Sequence, residues 1–357
     1  MTPYLFSRAA VRYAIVVLVL TFSLGIAGDL PNIVILATGG TIAGSAETDV
    51  QAGYTSGQVG VEVLIKAVPQ LKKIANVRGE QIANVGSQNM NDAVWLKLAK
   101  RINQLVQQAD VDGIVITHGT DTMEETAYFL NLTVHTKKPV VMTGSMRPST
   151  ALSADGPLNI YNAVAVAGQK EAWGRGVLVV ANDKILPARE IIKTSATDVE
   201  TFQAPGFGWI GTVHYGVARY YRFPFTLHTY QSEFNVDNVD KLPKVDIIYM
   251  HASATGELID DAVENGAKGI VVAGVGNGNM TDAAVDALAR AAKKGVVCVR
   301  STRVPMGYID RNVELDDDAL GFVASYQLNA QKARVLLKLA LLKTNDPRTI
   351  QEYFAKY

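Results

Sequence analysis

The chain has 357 residues, 48% of them hydrophobic and 19% charged, which is ample apolar material for one large globular domain or two smaller ones. Lysine plus arginine and aspartate plus glutamate each total 34, and no basic run stands out, which argues against a nucleic-acid partner. The five histidines (118, 135, 214, 228 and 251) show no HExxH or other close ligand spacing, so no metal site is expected.

At the N-terminus, Arg8 and Arg12 precede an uncharged, mostly apolar stretch, Ala14–Ile26, and Gly25 and Ala27 put small residues where a signal peptidase needs them. Residues 1–27 therefore read as a secretory signal peptide cut after Ala27, with a destination outside the cytoplasm. An uncleaved anchor is the competing reading, but the stretch is shorter than the roughly 20 apolar residues of a spanning helix, so no membrane association is expected after cleavage. Removal leaves 32 basic against 34 acidic residues, a nearly neutral mature chain. Cys298 is the only cysteine, so no disulfide can form within one subunit. It lies in Gly-Val-Val-Cys-Val-Arg, which reads as a buried strand with a structural thiol.

Short, continuously apolar runs recur at Ile33–Leu36, Ile114–Thr117, Val140–Thr143, Val177–Val180, Ile247–Tyr249, Ile270–Ala273 and Val296–Val299. Such runs suit parallel strands covered on both faces. Helical patterns alternate with them. Asn91–Gln107 carries Val94, Leu98, Ile102 and Leu105, and Thr281–Lys294 opens on a capping threonine and stops at Gly295. The alternation predicts an α/β fold with a mostly parallel sheet. The polar, proline-edged stretch 222–244 reads as a linker between a larger N-terminal domain (28–221) and a smaller C-terminal one (245–357). The chain should close with two helices, Ala330–Lys343 and one opening at Asp346-Pro347.

Two strand ends carry threonines in unusual settings. The first strand runs into Thr38-Gly39-Gly40-Thr41, where paired glycines let backbone approach a ligand closely. The second runs into Thr117-His118-Gly119-Thr120-Asp121-Thr122. There Thr122 and Glu125 have capping-box spacing, and Met123, Ala127, Leu130 and Val134 form a helical stripe. Thr120 and Asp121 thus face a helix N-terminus, whose free N–H groups can stabilise an oxyanion. A tight turn and a plain helix cap would each account for one motif taken alone. Together they suggest a threonine nucleophile, which needs a phenol, a neutral lysine or a carboxylate to take its proton. Spacing does not reveal which, and His118 reads as structural.

Leu36–Ile42 and Ile116–Glu125 resemble the two signature motifs of the exported, type II bacterial L-asparaginases. The likeness extends from about Leu30 to Tyr357 through Gly79-Glu80-Gln81, Gly86-Ser87-Gln88, Val141–Pro148, Ser153–Pro157, Gly274–Asn279 and Lys332–Leu337. It implies hydrolysis of L-asparagine to L-aspartate and ammonia without a cofactor. Thr41 would be the nucleophile, near Tyr54 on a mobile, glycine-spaced loop. Thr120, Asp121 and Lys193 would form a second triad. Ser87, Gln88 and Asp121 would grip the substrate's α-carboxylate and α-amino groups, while Asn279 and Glu314 would come from a neighbouring subunit of a homotetramer built as a dimer of dimers. Asn89 departs from the acidic residue many relatives carry, and a disulfide some relatives have is impossible here. Two other readings compete. One is a broad glutaminase-asparaginase that also accepts L-glutamine. The other is a periplasmic amino-acid-binding protein, which would have no chemical need for two threonine motifs.

Overall fold

The structure, a computed structural model, describes residues 29–44 and 60–357, and the described residues from Pro31 on form one compact unit. The expected signal peptide and Tyr54 lie outside the described residues, as does most of the glycine-spaced loop. Strands β1 (Asn32–Gly39), β2 (Asn76–Val85), β3 (Gly113–Thr117), β4 (Val140–Thr143) and β5 (Val177–Ala181) run parallel in the spatial order β2-β1-β3-β4-β5. After them come β6 (Lys184–Pro187), a separate antiparallel pair β7 (Ile192–Lys193) and β8 (Phe202–Gln203), then β9 (Gly211–His214) and β10 (Val217–Tyr220). β6, β9 and β10 extend the first sheet beyond β5 with antiparallel pairing. A second, all-parallel sheet holds β11 (Val245–Tyr249), β12 (Gly269–Gly274), β13 (Val297–Thr302) and β14 (Phe322–Ala324) in sequence order. The chain thus has the expected class: a larger N-terminal α/β part and a smaller C-terminal one.

Helices cover both faces: α1 (Val61–Lys66), α2 (Asp92–Val106), α3 (Met123–Thr133) and α4 (Gly156–Ala167) around the first sheet, and α5 (Glu257–Glu264), α6 (Asp282–Lys293), α7 (Asp317–Leu320), α8 (Ala330–Ala340) and α9 (Pro347–Lys356) around the second. Asn91, Thr281, Asn329 and Asp346 each cap a helix by accepting from its first-turn N–H groups. None of these helices is long and apolar enough to cross a membrane.

Because strand side chains alternate between faces, each apolar run feeds two cores at once. Val34, Leu36, Ile114, Ile116, Val177 and Val179 face α2 and α3, whereas Ile33, Ile35, Val115, Leu178 and Val180 face α1 and α4. The first of these cores continues without a break into the second sheet, through Val271, Val299 and Val323 and the buried face of α8. A third core lies behind the second sheet and contains Cys298, whose thiol is fully buried and pushed up to about 12 by that burial.

Within the stretch 222–244, Phe234, Val236 and Leu242 are buried in the shared core. One local expectation is corrected. The Thr122–Glu125 capping box does not form. Thr122 donates its hydroxyl to the carbonyl of Ser87 at 2.8 Å, and Glu125 pairs with Arg334 at 3.4 Å.

Candidate active site

In an open α/β sheet, ligands bind outside the carboxyl ends of the strands where the strand order reverses. Here that point lies between β1 and β3, which leave the sheet centre in opposite directions to β2 and β4. Both threonine motifs emerge there. The β1–β2 register slips between Ala37 and Gly39, so that Gly39 pairs with Val85 and the Gly40 amide donates to the Val85 carbonyl at 3.1 Å. This draws Ser87, at the end of β2, toward the end of β1.

Gly40 has φ of +84°, and a Cβ placed on it would lie 2.3 Å from the Cα of Gly119. A Cβ on Gly119 would in turn lie 2.6 Å from Ser87 Oγ. Only glycine permits this approach. Three chain segments therefore meet with no side chain between them, and each delivers a hydroxyl residue: Thr41, Thr120 and Ser87, all buried. Ser87 Oγ accepts from the Asp121 amide at 3.1 Å, tying the β2 end to the start of α3.

Lys193, on β7, completes the cluster. Its Nζ donates to Thr120 Oγ1 at 2.9 Å and to Asp121 Oδ1 at 2.7 Å. The lysine side chain is 17% exposed and Asp121 54% exposed, so this ion pair is a half-open one whose value is orientation more than stability. The three donors of the ammonium leave one direction free for a further acceptor.

Around this cluster His118 is structural, as its sequence setting suggested. It is fully buried. Its Nδ1–H donates to the Gly119 carbonyl at 2.7 Å, and its Nε2 accepts from Thr126 Oγ1 at 2.9 Å, which itself accepts from Trp95 Nε1 at 2.8 Å. Burial lowers its pKa from the ordinary 6.5 to about 4, so the ring is neutral and fixes the Gly119 peptide without adding charge.

The remaining candidates sit differently. Gln88 is exposed and folds its amide over Gly86, where a Cβ would lie 2.6 Å from Gln88 Oε1. Asn279 follows β12 and bridges Val275 through paired backbone hydrogen bonds, while Glu314 is exposed on the loop before α7. Among the described residues, neither makes a hydrogen bond or ion pair to Thr120, Asp121 or Lys193 within the chain. No group of three or more His, Cys, Asp or Glu among the described residues could hold a metal ion. Sequence reasoning missed Glu124. This carboxylate is buried at the start of α3 and accepts the Lys193 amide at 2.9 Å, yet in the sequence it looked like an ordinary acidic residue in a helix first turn.

Comparison with known proteins gives the same outline. Residues 32–225 match the asparaginase N-terminal domain family and residues 244–354 the glutaminase/asparaginase C-terminal domain family. The chain is 56% identical to "Probable L-asparaginase periplasmic" of Haemophilus influenzae over 94% of this chain and 97% of that protein. It is 47% identical to "Glutaminase-asparaginase" of Pseudomonas fluorescens biotype A over 92% and 91% of the two chains. The crystal structure of a "Probable Cytoplasmic L-asparaginase" from Campylobacter jejuni superposes with a TM-score of 0.89 at 50% identity, covering 92% of this chain and all of that one. Matched along nearly its whole described length, in both of its sheets, the chain belongs to the asparaginase family.

Proposed function

We propose that the protein hydrolyses L-asparagine to L-aspartate and ammonia. The observation that carries this reading is the Lys193 ammonium held between Thr120 Oγ1 and Asp121 Oδ1 at the point where the strand order reverses, beside the Thr41 motif. Thr41 attacks the side-chain amide carbon, and Tyr54 and the Glu314 of a neighbouring copy assist in removing its proton. Lys193 and Thr120 polarise the water that completes the reaction. Ser87, Gln88 and Asp121 hold the substrate's α-carboxylate and α-amino groups, fixing the amide carbon against the nucleophile.

The second reading, a glutaminase-asparaginase, is favoured by the relative of that name. One methylene separates the two substrates, and a pocket distinguishes them by only about 1–3 kcal/mol, or roughly 10–200-fold. The protein recovered from the periplasmic fraction, beginning at Gly28, should release ammonia from millimolar L-asparagine at least about tenfold faster than from L-glutamine. A rate ratio near one would move the assignment to the dual-specificity enzyme. No ammonia from either amide would favour a binding protein, a protein that keeps residues 1–27 would overturn the cleavage, and its recovery from the cytoplasmic fraction would overturn the exported location.

The division into residues 28–221, a connecting stretch 222–244 and residues 245–357 is part of the same proposal, as is a homotetramer in which Asn279 and Glu314 complete a neighbour's site. Co-refolding Thr41→Ala and Glu314→Ala chains in equal amounts tests it. Half of randomly formed pairs are mixed and each mixed pair holds one intact site, so about a quarter of wild-type activity should return. Hybrids as inactive as the parents would show that each site belongs to one chain.

A further inference from the structure

Lys193 sits on an insecure support. β7 is two residues long and pairs only with the equally short β8, Lys193 opposite Phe202. Ile191 and Phe202 anchor one side of this hairpin in the core, but Ile192 on the other side borders a cavity of about 320 Å³ that also touches Pro305, Met306 and Tyr308. A lysine ammonium at the end of four methylenes needs a fixed Cα if it is to stay within hydrogen-bond reach of two acceptors.

We infer that Glu124 is a positioning residue for Lys193, and that Asn329 and Lys332 at the start of α8 lock it in place. Glu124 Oε2 accepts the Lys193 amide at 2.9 Å, and Glu124 Oε1 accepts Asn329 Nδ2 at 3.1 Å. Asn329 also caps α8 through its Oδ1, which accepts the Lys332 amide at 3.0 Å. The Lys332 ammonium, fully buried, donates to the carbonyl of Ile191, two residues before Lys193. The strand is thus gripped on both sides of Ile192, once by a carboxylate and once by an ammonium. Burial draws Lys332 down to about 8, and the Glu124 charge is the strongest of the influences pulling it back up.

The economy of the arrangement lies in its spacing. Thr120, Asp121 and Glu124 fall within five consecutive positions, from the end of the β3 loop into the first turn of α3. One short, rigid segment therefore receives the lysine's head through Thr120 and Asp121 and its backbone through Glu124. The outer lock comes from the C-terminal part of the same chain, which ties the candidate triad to α8 through a partly buried polar network.

This inference rests on the proposed role of Lys193, and the test separates the two. Glu124→Ala, Glu124→Gln, Asn329→Ser and Lys193→Ala are assayed together for kcat, KM and thermal midpoint. Displacing a reacting group by about 1 Å costs on the order of 100-fold, so Glu124→Ala should lower kcat by about 10–100-fold with KM changed less than about threefold. Glu124→Gln keeps an acceptor for the Lys193 amide and should restore kcat to within about fivefold of wild type. In Asn329→Ser the shorter side chain still caps α8 but cannot reach Glu124, so kcat should fall by about 3–10-fold with the thermal midpoint little changed. Should Glu124→Ala fail to fold, Asn329→Ser carries the test. Wild-type kcat in a folded Glu124→Ala or in Asn329→Ser, while Lys193→Ala is inactive, would overturn the positioning role alone. An active Lys193→Ala would instead overturn the reading of the site.

Discussion

Thr41→Ala and Thr120→Ala should each lower turnover of L-asparagine by about 10⁴-fold or more, as loss of a member of a nucleophilic unit does. Each change removes a hydroxyl and a methyl from a buried site, and neither leaves a buried charge alone. Lys193 keeps its 2.7 Å contact with Asp121 when Thr120 is shortened. Folding should therefore survive, and binding of the product L-aspartate should weaken far less than turnover, because Ser87, Gln88 and Asp121 remain. Steady-state ammonia release together with a thermal melt gives the answer. Wild-type-like turnover in either folded variant would remove that residue from the reaction.

The largest effect on stability is expected at Arg300. Arg300 and Asp317 are both fully buried, joined by a bidentate pair at 2.6 and 2.8 Å. The rest of the guanidinium donates to the carbonyls of Asn277, Gly278 and Asp310, and Asp317 Oδ2 accepts the Asn312 amide at 2.9 Å. Removing the arginine strands a carboxylate in the core, which costs about 3–5 kcal/mol. Arg300→Met should show this as a shifted denaturant midpoint. Arg300→Met with Asp317→Leu should recover most of the loss, since an apolar pair of similar volume tolerates burial. Activity should stay low in the double variant, because the loops bearing Asn279 and Glu314 lose the anchor they share. A double variant as unstable as the single one would mean that the loop hydrogen bonds, and not the stranded charge, set the cost.

How much of this was legible in the sequence depended on what each segment must bury. The strands at the sheet centres face apolar layers on both sides, so Ile114–Thr117 and Ile270–Ala273 declare themselves as unbroken apolar runs. β2 is an edge strand with one neighbour, and its sequence, Asn-Val-Arg-Gly-Glu-Gln-Ile-Ala-Asn-Val, carries no such run. α4 opens with Gly156-Pro157, residues that usually mark a turn, so its start gives no helical signal. Thr41, Thr120 and Asp121 stand in motifs at strand ends, whereas Lys193, Tyr54, Asn279 and Glu314 carry no local signal and enter only through the likeness to a family. What pattern alone could not show was the contact of Gly40 with Gly119, or the grip of Glu124 on Lys193, 69 positions away. Both depend on where the chain returns in space. Thr122 and Glu125 illustrate the converse: a correct spacing was overruled when Ser87 and Arg334 offered other partners.

The sealed thiol of Cys298 bears on how the chain reaches its native state. With one sulfhydryl per polypeptide and that one inside the third core, there is no bridge to make and none to mispair. Reaching the native state therefore requires no oxidant, and once folded the chain offers neither oxidant nor reductant an exposed thiol or a bridge to act on.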